Sequence, residues 1–317
     1  MRITILITVL AAIFTSCNRN EIFEREQYKH VIALISEGSH NIFAEEHEPA
    51  MGDEYGYTIG HIAASCGGSL PTTQSVSLNI VEDRELLQEY NSNTYAMDGY
   101  RFARYLPANR YNIEQHSITI EQGERTGRME IRLRAGGLSP DSAYFIPFRV
   151  EQASAYELNP NKSTLLYQVY LKNFWASTMS IPDYSHRSNR IEGSGFPLVS
   201  MISKKVFPVS GNEVRITAGN KIITEYTLEL IEKWAIRLLI DDKGNVTITP
   251  WSATANGMKV TQLSGNRDYP NVFRIVDDGF GKTFKTFLLY YEYTDADNNV
   301  TYTMEEELKI EHIVTVK

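Results

Sequence analysis

Cysteine is nearly missing from this sequence: 317 residues hold two, Cys17 and Cys66. A chain with so few thiols cannot rest on a disulfide framework, so its stability has to come from hydrophobic cores. No Lys- or Arg-rich run occurs, and acidic residues outnumber basic ones 39 to 31. That excludes the phosphate neutralisation on which nucleic-acid binding depends, and it excludes docking on anionic lipid by charge. After the first residues no apolar run reaches the roughly 20 residues of a membrane-spanning helix. There is no Gly-x-Ser-x-Gly elbow for a nucleophilic serine. The seven histidines, His30, His40, His47, His61, His116, His186 and His312, include no pair spaced as on a zinc-binding helix. Asp295-Ala296-Asp297-Asn298-Asn299 offers alternating oxygens, but without the glycine and distal glutamate of a calcium loop. It reads as a hairpin turn. Glycoside hydrolysis needs two carboxylates flanking one bond, and Glu305-Glu306-Glu307 reads instead as a solvated strand end. No catalytic residue, metal ligand or cofactor is expected.

What is present begins with MRITILITVLAAIFTSC. Arg2 supplies a short positive start, and Ile3 to Phe14 is an uncharged, mostly apolar stretch too short to span a bilayer. Thr15-Ser16-Cys17 resembles a lipobox, with Phe14 standing where leucine is usual. The expectation is a lipoprotein signal peptide over 1–17, a lipidated Cys17 and a polar tether over 18–26. Loss of Arg2 with the signal takes the formal charge from -8 to -9. Cys66, in Ile62-Ala63-Ala64-Ser65-Cys66, then remains as a buried, inert thiol.

The remainder reads as β throughout. Val31 to Ile35, Tyr57 to Ala64, Ile118 to Ile120, Tyr144 to Val150 and Leu165 to Leu171 are short apolar strands. Val76, Leu78 and Ile80 alternate with polar residues, as do Met129, Ile131 and Leu133. One or two helical turns are expected at 83–90 with Asp83 as N-cap. Short strands at this spacing suggest an immunoglobulin-like sandwich over 27–172. From 173 the texture changes to longer hairpins, turning at Asp241 to Asn245 and at Asp295 to Asn299. Tyr226 to Leu230 alternates as a strand would, and Ser185 to Gly195 reads as a polar loop. The class predicted for 173–317 is an antiparallel β-barrel or sandwich, the calycin type included.

Several stretches also resemble a known family. Val76-Ser77-Leu78-Asn79-Ile80, Leu86 through Tyr90-Asn91, Tyr105-Leu106-Pro107 with Tyr111, Ile118-Thr119-Ile120 with Gly123, and Tyr144-Phe145-Ile146-Pro147 follow the order of the DUF1735 domain of Bacteroidetes lipoproteins. Tyr226-Thr227-Leu228, Trp234 to Asp241 and Phe287 to Thr294 resemble the DUF4361 domain that often follows it. The resemblance implies a lipid-anchored protein of the outer membrane, facing outward and working beside glycan-import transporter components. It implies no catalytic residue.

Carbohydrate binding calls for aromatic faces among polar side chains. All three tryptophans, Trp175, Trp234 and Trp251, fall in the second half. Trp234 reads as core and Trp175 as packing at the domain junction, whereas Trp251 follows Pro250 past a strand end where a loop would expose it. Tyr184, in Pro182-Asp183-Tyr184-Ser185-His186-Arg187, and Tyr269, in Asn266-Arg267-Asp268-Tyr269-Pro270, fall in polar loops. The candidate ligand contacts are therefore Trp251, Tyr269 and Tyr184, with Arg187, Asn266, Arg267 and Asp268 as hydrogen-bond partners. The expected function is non-catalytic binding of an oligo- or polysaccharide. The alternatives are an adhesin or assembly protein, favoured by a flat surface without an aromatic platform, and a hydrolase, favoured by facing carboxylates. The anchor is testable directly: Cys17→Ala should abolish processing or move the protein out of the membrane fraction, and a variant that still fractionates with membrane at its processed mass would refute lipidation.

Overall fold

The computed structural model describes residues 26–48, 56–96, 98–254 and 257–313. Cys17, the signal peptide and the tether up to residue 25 lie outside them.

The first domain is two packed sheets. One runs β10 (Glu157–Leu158), β1 (Val31–Leu34), β3 (Thr58–Gly67), β8 (Thr126–Leu133), β6 (Tyr111–Asn112). The other runs β2 (Ile42–His47), β11 (Thr164–Leu171), β9 (Tyr144–Ala153), β4 (Val76–Glu82), β7 (Ser117–Ile120), with β5 (Arg104–Tyr105) also on β9. The chain switches sheets between β1 and β2, and β2 then pairs parallel to β11. Alternating residues such as Leu78, Ile80, Ile131 and Leu133 close the core, which includes Cys66. Burial pushes that thiol's pKa up, so the sulfur is inert.

Helix α1 (Arg84–Tyr95) is longer than the expected stretch at 83–90. Asp83 caps it as anticipated, accepting from Glu85 N at 3.1 Å, and burial of Leu87 and Asn91 against β9 and β11 sustains the extra turns.

The second domain is a meander. In chain order it comprises β12 (Asp183–Glu192), β13 (Leu198–Lys205), β14 (Phe207–Ser210), β15 (Glu213–Thr217), α2 (Leu228–Trp234), β16 (Ala235–Ile240), β17 (Val246–Pro250), β18 (Val260–Gln262), β19 (Val272–Asp277), β20 (Thr283–Thr294) and β21 (Thr301–Glu311). All pairings are antiparallel: β13, β12, β21, β20 and β18 form one sheet with β19 also on β20, and β14, β15, β16 and β17 form the other. Only Val206 separates β13 from β14, so one bent strand carries the chain from one sheet to the other. β18 and β19 share the free edge of β20. The seam between β17 and that edge is closed by the Gln262 amide. It accepts from Ile248 N at 2.7 Å and donates to Val246 O at 3.1 Å, like a strand residue. The result is a flattened, barrel-like pair of curled antiparallel sheets, within the barrel-or-sandwich class expected. Its interior is filled by side chains, among them Tyr184, Trp234, Phe287, Tyr291 and Met304.

Three local expectations are corrected. Ser185 to Gly195 is mostly strand β12, because His186 and Ser188 are buried between exposed Ser185 and Arg187. Tyr226 to Leu230 is not a strand. Thr227 caps α2 by accepting from Leu230 N at 3.3 Å, and Ile231 and Trp234 face the core. Glu306 is not solvated. It is fully buried between Glu305 and Glu307, on the inward face of β21 with Met304 and Leu308. Lys204 Nζ contacts Glu306 Oε1 and donates to Gly219 O at 2.7 Å. Tyr291 Oη donates to Glu306 Oε2 at 2.5 Å and accepts from Gly219 N at 2.9 Å. His186 Nε2 lies 3.3 Å from Oε1 without a hydrogen bond in line. Burial alone would raise the Glu306 carboxyl, but the Lys204 ammonium and His186 overturn that and hold it at about 2.

The domains meet directly after β11. Asn173 Nδ2 donates to Ser210 O at 2.8 Å and Glu213 O at 3.0 Å, while its Oδ1 takes Trp175 N and Ala176 N. Glu46 of β2 accepts from Lys172 Nζ at 2.9 Å and from Ser177 Oγ. The central joint is Arg215 of β15, 2 % exposed. Its guanidinium forms a two-pronged pair with Asp141 in the turn before β9, with Nη2 to Oδ1 at 2.6 Å. It lies 4.5 Å from the Phe207 ring centroid and 4.9 Å from that of Trp251.

Two outcomes follow from these buried charges. Glu306→Gln should lower stability by about 3–5 kcal/mol by leaving the Lys204 ammonium unpaired, and Glu306→Gln with Lys204→Met should recover part of the loss. Since the Glu306 pKa lies below its ordinary 4.5, the pair's contribution is complete above that pH and fades as pH falls from 4.5 towards about 2; denaturant titrations across that window should show the wild type losing more than the double variant. Asp141→Ala should likewise cost about 3–5 kcal/mol and expose the segment 172–182 to limited proteolysis. Unchanged cleavage and stability would show that the joint does not hold the domains.

Candidate functional site

Alternation along the strands gives the β13–β12–β21–β20 sheet an outward face opposite the packed interior. Across it, Met201 sits beside Arg187 and Arg187 beside Glu307. In the next row Val199, Asn189, Glu305 and Tyr290 are neighbours. Residues 263–271, between β18 and β19, reach over β20 onto this face. The loop is fixed by its own side chains. Asn271 Nδ2 donates to Leu263 O and its Oδ1 accepts from Tyr290 N, both at 2.7 Å. Asn266 Oδ1 accepts from Asp268 N at 3.0 Å and Tyr269 N at 3.1 Å, an Asx turn.

The centre of the site is Glu305. Asn266 Nδ2 donates to its Oε1 and Asn189 Nδ2 to its Oε2, each at 2.8 Å. Two amides on opposite sides hold the carboxylate in one orientation with lone pairs to spare. Tyr269 is half-buried beside it. Burial first, then the Glu305 and Glu307 carboxylates, raise its phenol pKa, so the hydroxyl stays protonated and able to donate. Arg187 is exposed in the same field and Asp268 lies at the loop's edge. The arrangement offers one aromatic ring within reach of a fixed carboxylate, amides and a guanidinium. Glu305 and Glu307 stand side by side on one strand rather than facing across a bond, and Arg187 rather than a base separates them from the neighbouring strand.

The structure thus gathers Arg187, Asn266, Asp268 and Tyr269, with Arg267 exposed on the same loop. Asn189, Glu305 and Glu307 complete the group. The alternation of Glu305 and Glu307 with Met304, Glu306 and Leu308 was the sequence signal for them. Two candidates lie elsewhere. Tyr184 is fully buried on the inward face of β12 and donates to Trp175 O at 2.9 Å, so it reaches no ligand from outside. Trp251 does follow a strand end, but it packs at the domain joint between the guanidiniums of Arg215, at 4.9 Å, and Arg237, at 4.7 Å. Trp234 is core as expected, and Trp175 is buried near the junction against Phe174 and Phe273.

Among the described residues no cluster of histidine, cysteine and carboxylate side chains is arranged to hold a metal ion.

Comparison with known proteins places this geometry in a family. A family model described as an N-terminal domain matches residues 28–157, and one described as a C-terminal domain matches 163–309. A search of curated proteins finds no match. Among solved structures, a multidomain protein including DUF1735 from Bacteroides ovatus superposes with TM-score 0.63 at 12% identity, over 88% of this chain and 94% of that one. A Bacteroides ovatus protein of unknown function gives 0.63 at 13% identity, over 89% and 94%. An auxiliary nutrient binding protein from Bacteroides thetaiotaomicron gives 0.56 at 16% identity, over 85% and 90%. At such identities the likeness establishes a shared fold. Domain order, matched extents and fold together make this chain a member of the family in which a DUF1735 N-terminal domain precedes a DUF4361 C-terminal domain.

Proposed function

We propose that the protein is a lipid-anchored, non-catalytic carbohydrate-binding accessory to outer-membrane oligosaccharide uptake, and that the outward face of β12, β21 and β20 takes the sugar. The observation that carries the reading is the Tyr269–Glu305 arrangement, an aromatic ring beside a carboxylate held by two asparagine amides. Sugar rings present apolar CH faces to such a ring, and their hydroxyls need donors and acceptors fixed in place. The site is open and built from a rigid sheet and a pinned loop, which suits an extended chain with either end free. One structural relative is named as a nutrient binding protein, which agrees with this assignment. The signal sequence and lipobox support an outer-membrane address, with the cell surface following from the family resemblance.

A protein-interaction role draws on a different feature. β13 ends its sheet, and Phe196, Leu198, Val199 and Met201 are exposed along it, with Phe196 97% open to solvent. An unpaired edge with apolar side chains is a surface for strand addition.

A glycan array on the chain beginning at Asn18 separates the two. Tyr269→Ala should weaken binding of the best-retained saccharide by about 1–3 kcal/mol, the loss of one aromatic anchor, with the melting temperature unchanged. Unaltered affinity in that variant would reject this face, and a wild type that retains no glycan would favour the interaction reading.

A further inference from the structure

A second concave site lies where the two domains face one another. On the first domain it is bounded by Tyr95 at the end of α1, by Arg101 in the short turn Gly99–Arg101, and by Asp141. On the second it is bounded by residues 224–227, the segment before α2, with Glu225 and Tyr226 foremost. Its volume is about 420 Å³. Pockets that hold small ligands run from about 300 to 1,000 Å³ and occur preferentially between domains. The hollow beside His40 and Glu89 on the other side of α1, at about 170 Å³, falls short of that range.

Three features give the cleft a chemical character. Tyr95 and Tyr226 bring one aromatic ring from each domain. Tyr226 is braced edge-on against Phe207, with centroids 4.8 Å apart, and Tyr95 against Tyr90 at 6.0 Å. The charges of the cleft are unequal in availability. Asp141 is committed to Arg215, whereas the Arg101 side chain is 61% exposed with Asp98 only at 3.9 Å, and Glu225 is exposed on the opposite wall. An exposed guanidinium on one wall and an exposed carboxylate on the other supply both donors and acceptors, which suits the hydroxyls of a sugar. Finally, the floor is the domain joint itself. The Arg215–Asp141 pair sets the spacing of the walls before any ligand arrives, so little ordering cost falls on binding.

We propose that this cleft is a second saccharide subsite, taking a neutral sugar unit between Tyr95 and Tyr226 with Arg101 and Glu225 on its hydroxyls. The ligand class rests on the proposed function, but the site shares no residue with the Tyr269 face. A bound sugar touches both domains, so occupancy stabilises their mutual arrangement.

The test uses the chain from Asn18 with a panel of neutral and uronate-containing oligosaccharides, measured by titration calorimetry alongside melting temperatures. Thr224→Trp fills the cleft from an exposed position, and Arg101→Ala removes its exposed guanidinium. Each should weaken binding of neutral oligosaccharides by roughly tenfold, the effect of one good contact, with melting temperatures unchanged. Either change added to Tyr269→Ala should remove the binding that remains. Loss in the cleft variants with Tyr269→Ala unaffected would uphold the cleft and reject the sheet face. Loss in Tyr269→Ala alone, with both cleft variants within about twofold of wild type, would overturn the inference and leave the proposed function standing. Binding of uronate-containing oligosaccharides alone, or no binding by the wild type, would overturn it as well.

Discussion

The relative placement of the two domains hangs on one buried guanidinium. Arg215 sits in the middle of a barrel strand, almost without solvent, and a cation there has to find its counter-charge in protein. Asp141 supplies both carboxylate oxygens, and the rings of Phe207 and Trp251 supply the faces. The arrangement also resolves a conflict within the barrel. Arg215 and Arg237 are directly opposite across β15 and β16, where two like charges repel. Trp251 stands between them, and Glu213 lies 3.5 Å from Arg237. Glu213 serves Arg237, and Asp141 is the acid that the first domain inserts for Arg215. Neither domain can rotate away without stranding a charge, and the cleft beside the joint inherits its width from that constraint.

The same cost of burying charge separates the three consecutive glutamates of β21. Residues alternate between faces with period two, so Glu305 and Glu307 emerge outward while Glu306 points into the filled barrel. An inward carboxylate is tolerated because Lys204, Tyr291 and Gly219 complete a closed network around it. The outward Glu305 is held as firmly, but by neutral amides that leave its remaining lone pairs free. One strand therefore carries a structural acid and the acid of the proposed binding face on adjacent residues, distinguished only by the face each occupies.

That distinction marks how far the sequence could be read. The main strands of the first domain (β1, β3, β4, β7, β8, β9 and β11), the Asp83 cap, the hairpin turns and the domain order were legible because they are local, whereas β2 and the two-residue strands β5, β6 and β10 carry too little alternation to show. Residues 266–271 were legible as a polar loop for the same reason, and five of the seven candidate contacts lie there or beside it. Tyr184 and Trp251 were misplaced because polar neighbours in sequence say little about what packs over a side chain. Ser185 and Arg187 make the stretch around Tyr184 look wet, yet they are merely the outward half of a strand. Trp251 follows a proline past a strand end, as an exposed residue would, and is half-buried between the guanidiniums of Arg215 and Arg237, a placement that no local pattern encodes. The alternation of Tyr302, Met304, Glu306, Leu308 and Ile310 did encode an inward Glu306, but its partner Lys204 lies 102 residues away.

A filled barrel imposes a consequence for binding. In barrels that carry ligands inside, the lumen supplies enclosure and affinity together; here Trp234, Phe287, Tyr291 and Met304 occupy that space. The binding proposed here therefore falls to the outer sheet face and the domain cleft, both open and each offering few anchors. Open sites of this kind gain little from desolvation, so their strength depends on pre-organisation and on number. Pre-organisation is visible in the Asn271 and Asn266 bonds that pin the loop and in the Arg215 joint that spaces the cleft. Number follows from geometry. Two such proposed sites on one molecule would act on one polymer chain as linked events, the second contact forming at an effective concentration set by their separation. A chain tethered at Cys17, as proposed, adds neighbouring copies to the same count. Modest single-site contacts would then suffice to retain a long saccharide while letting each segment go, as the proposed accessory role requires.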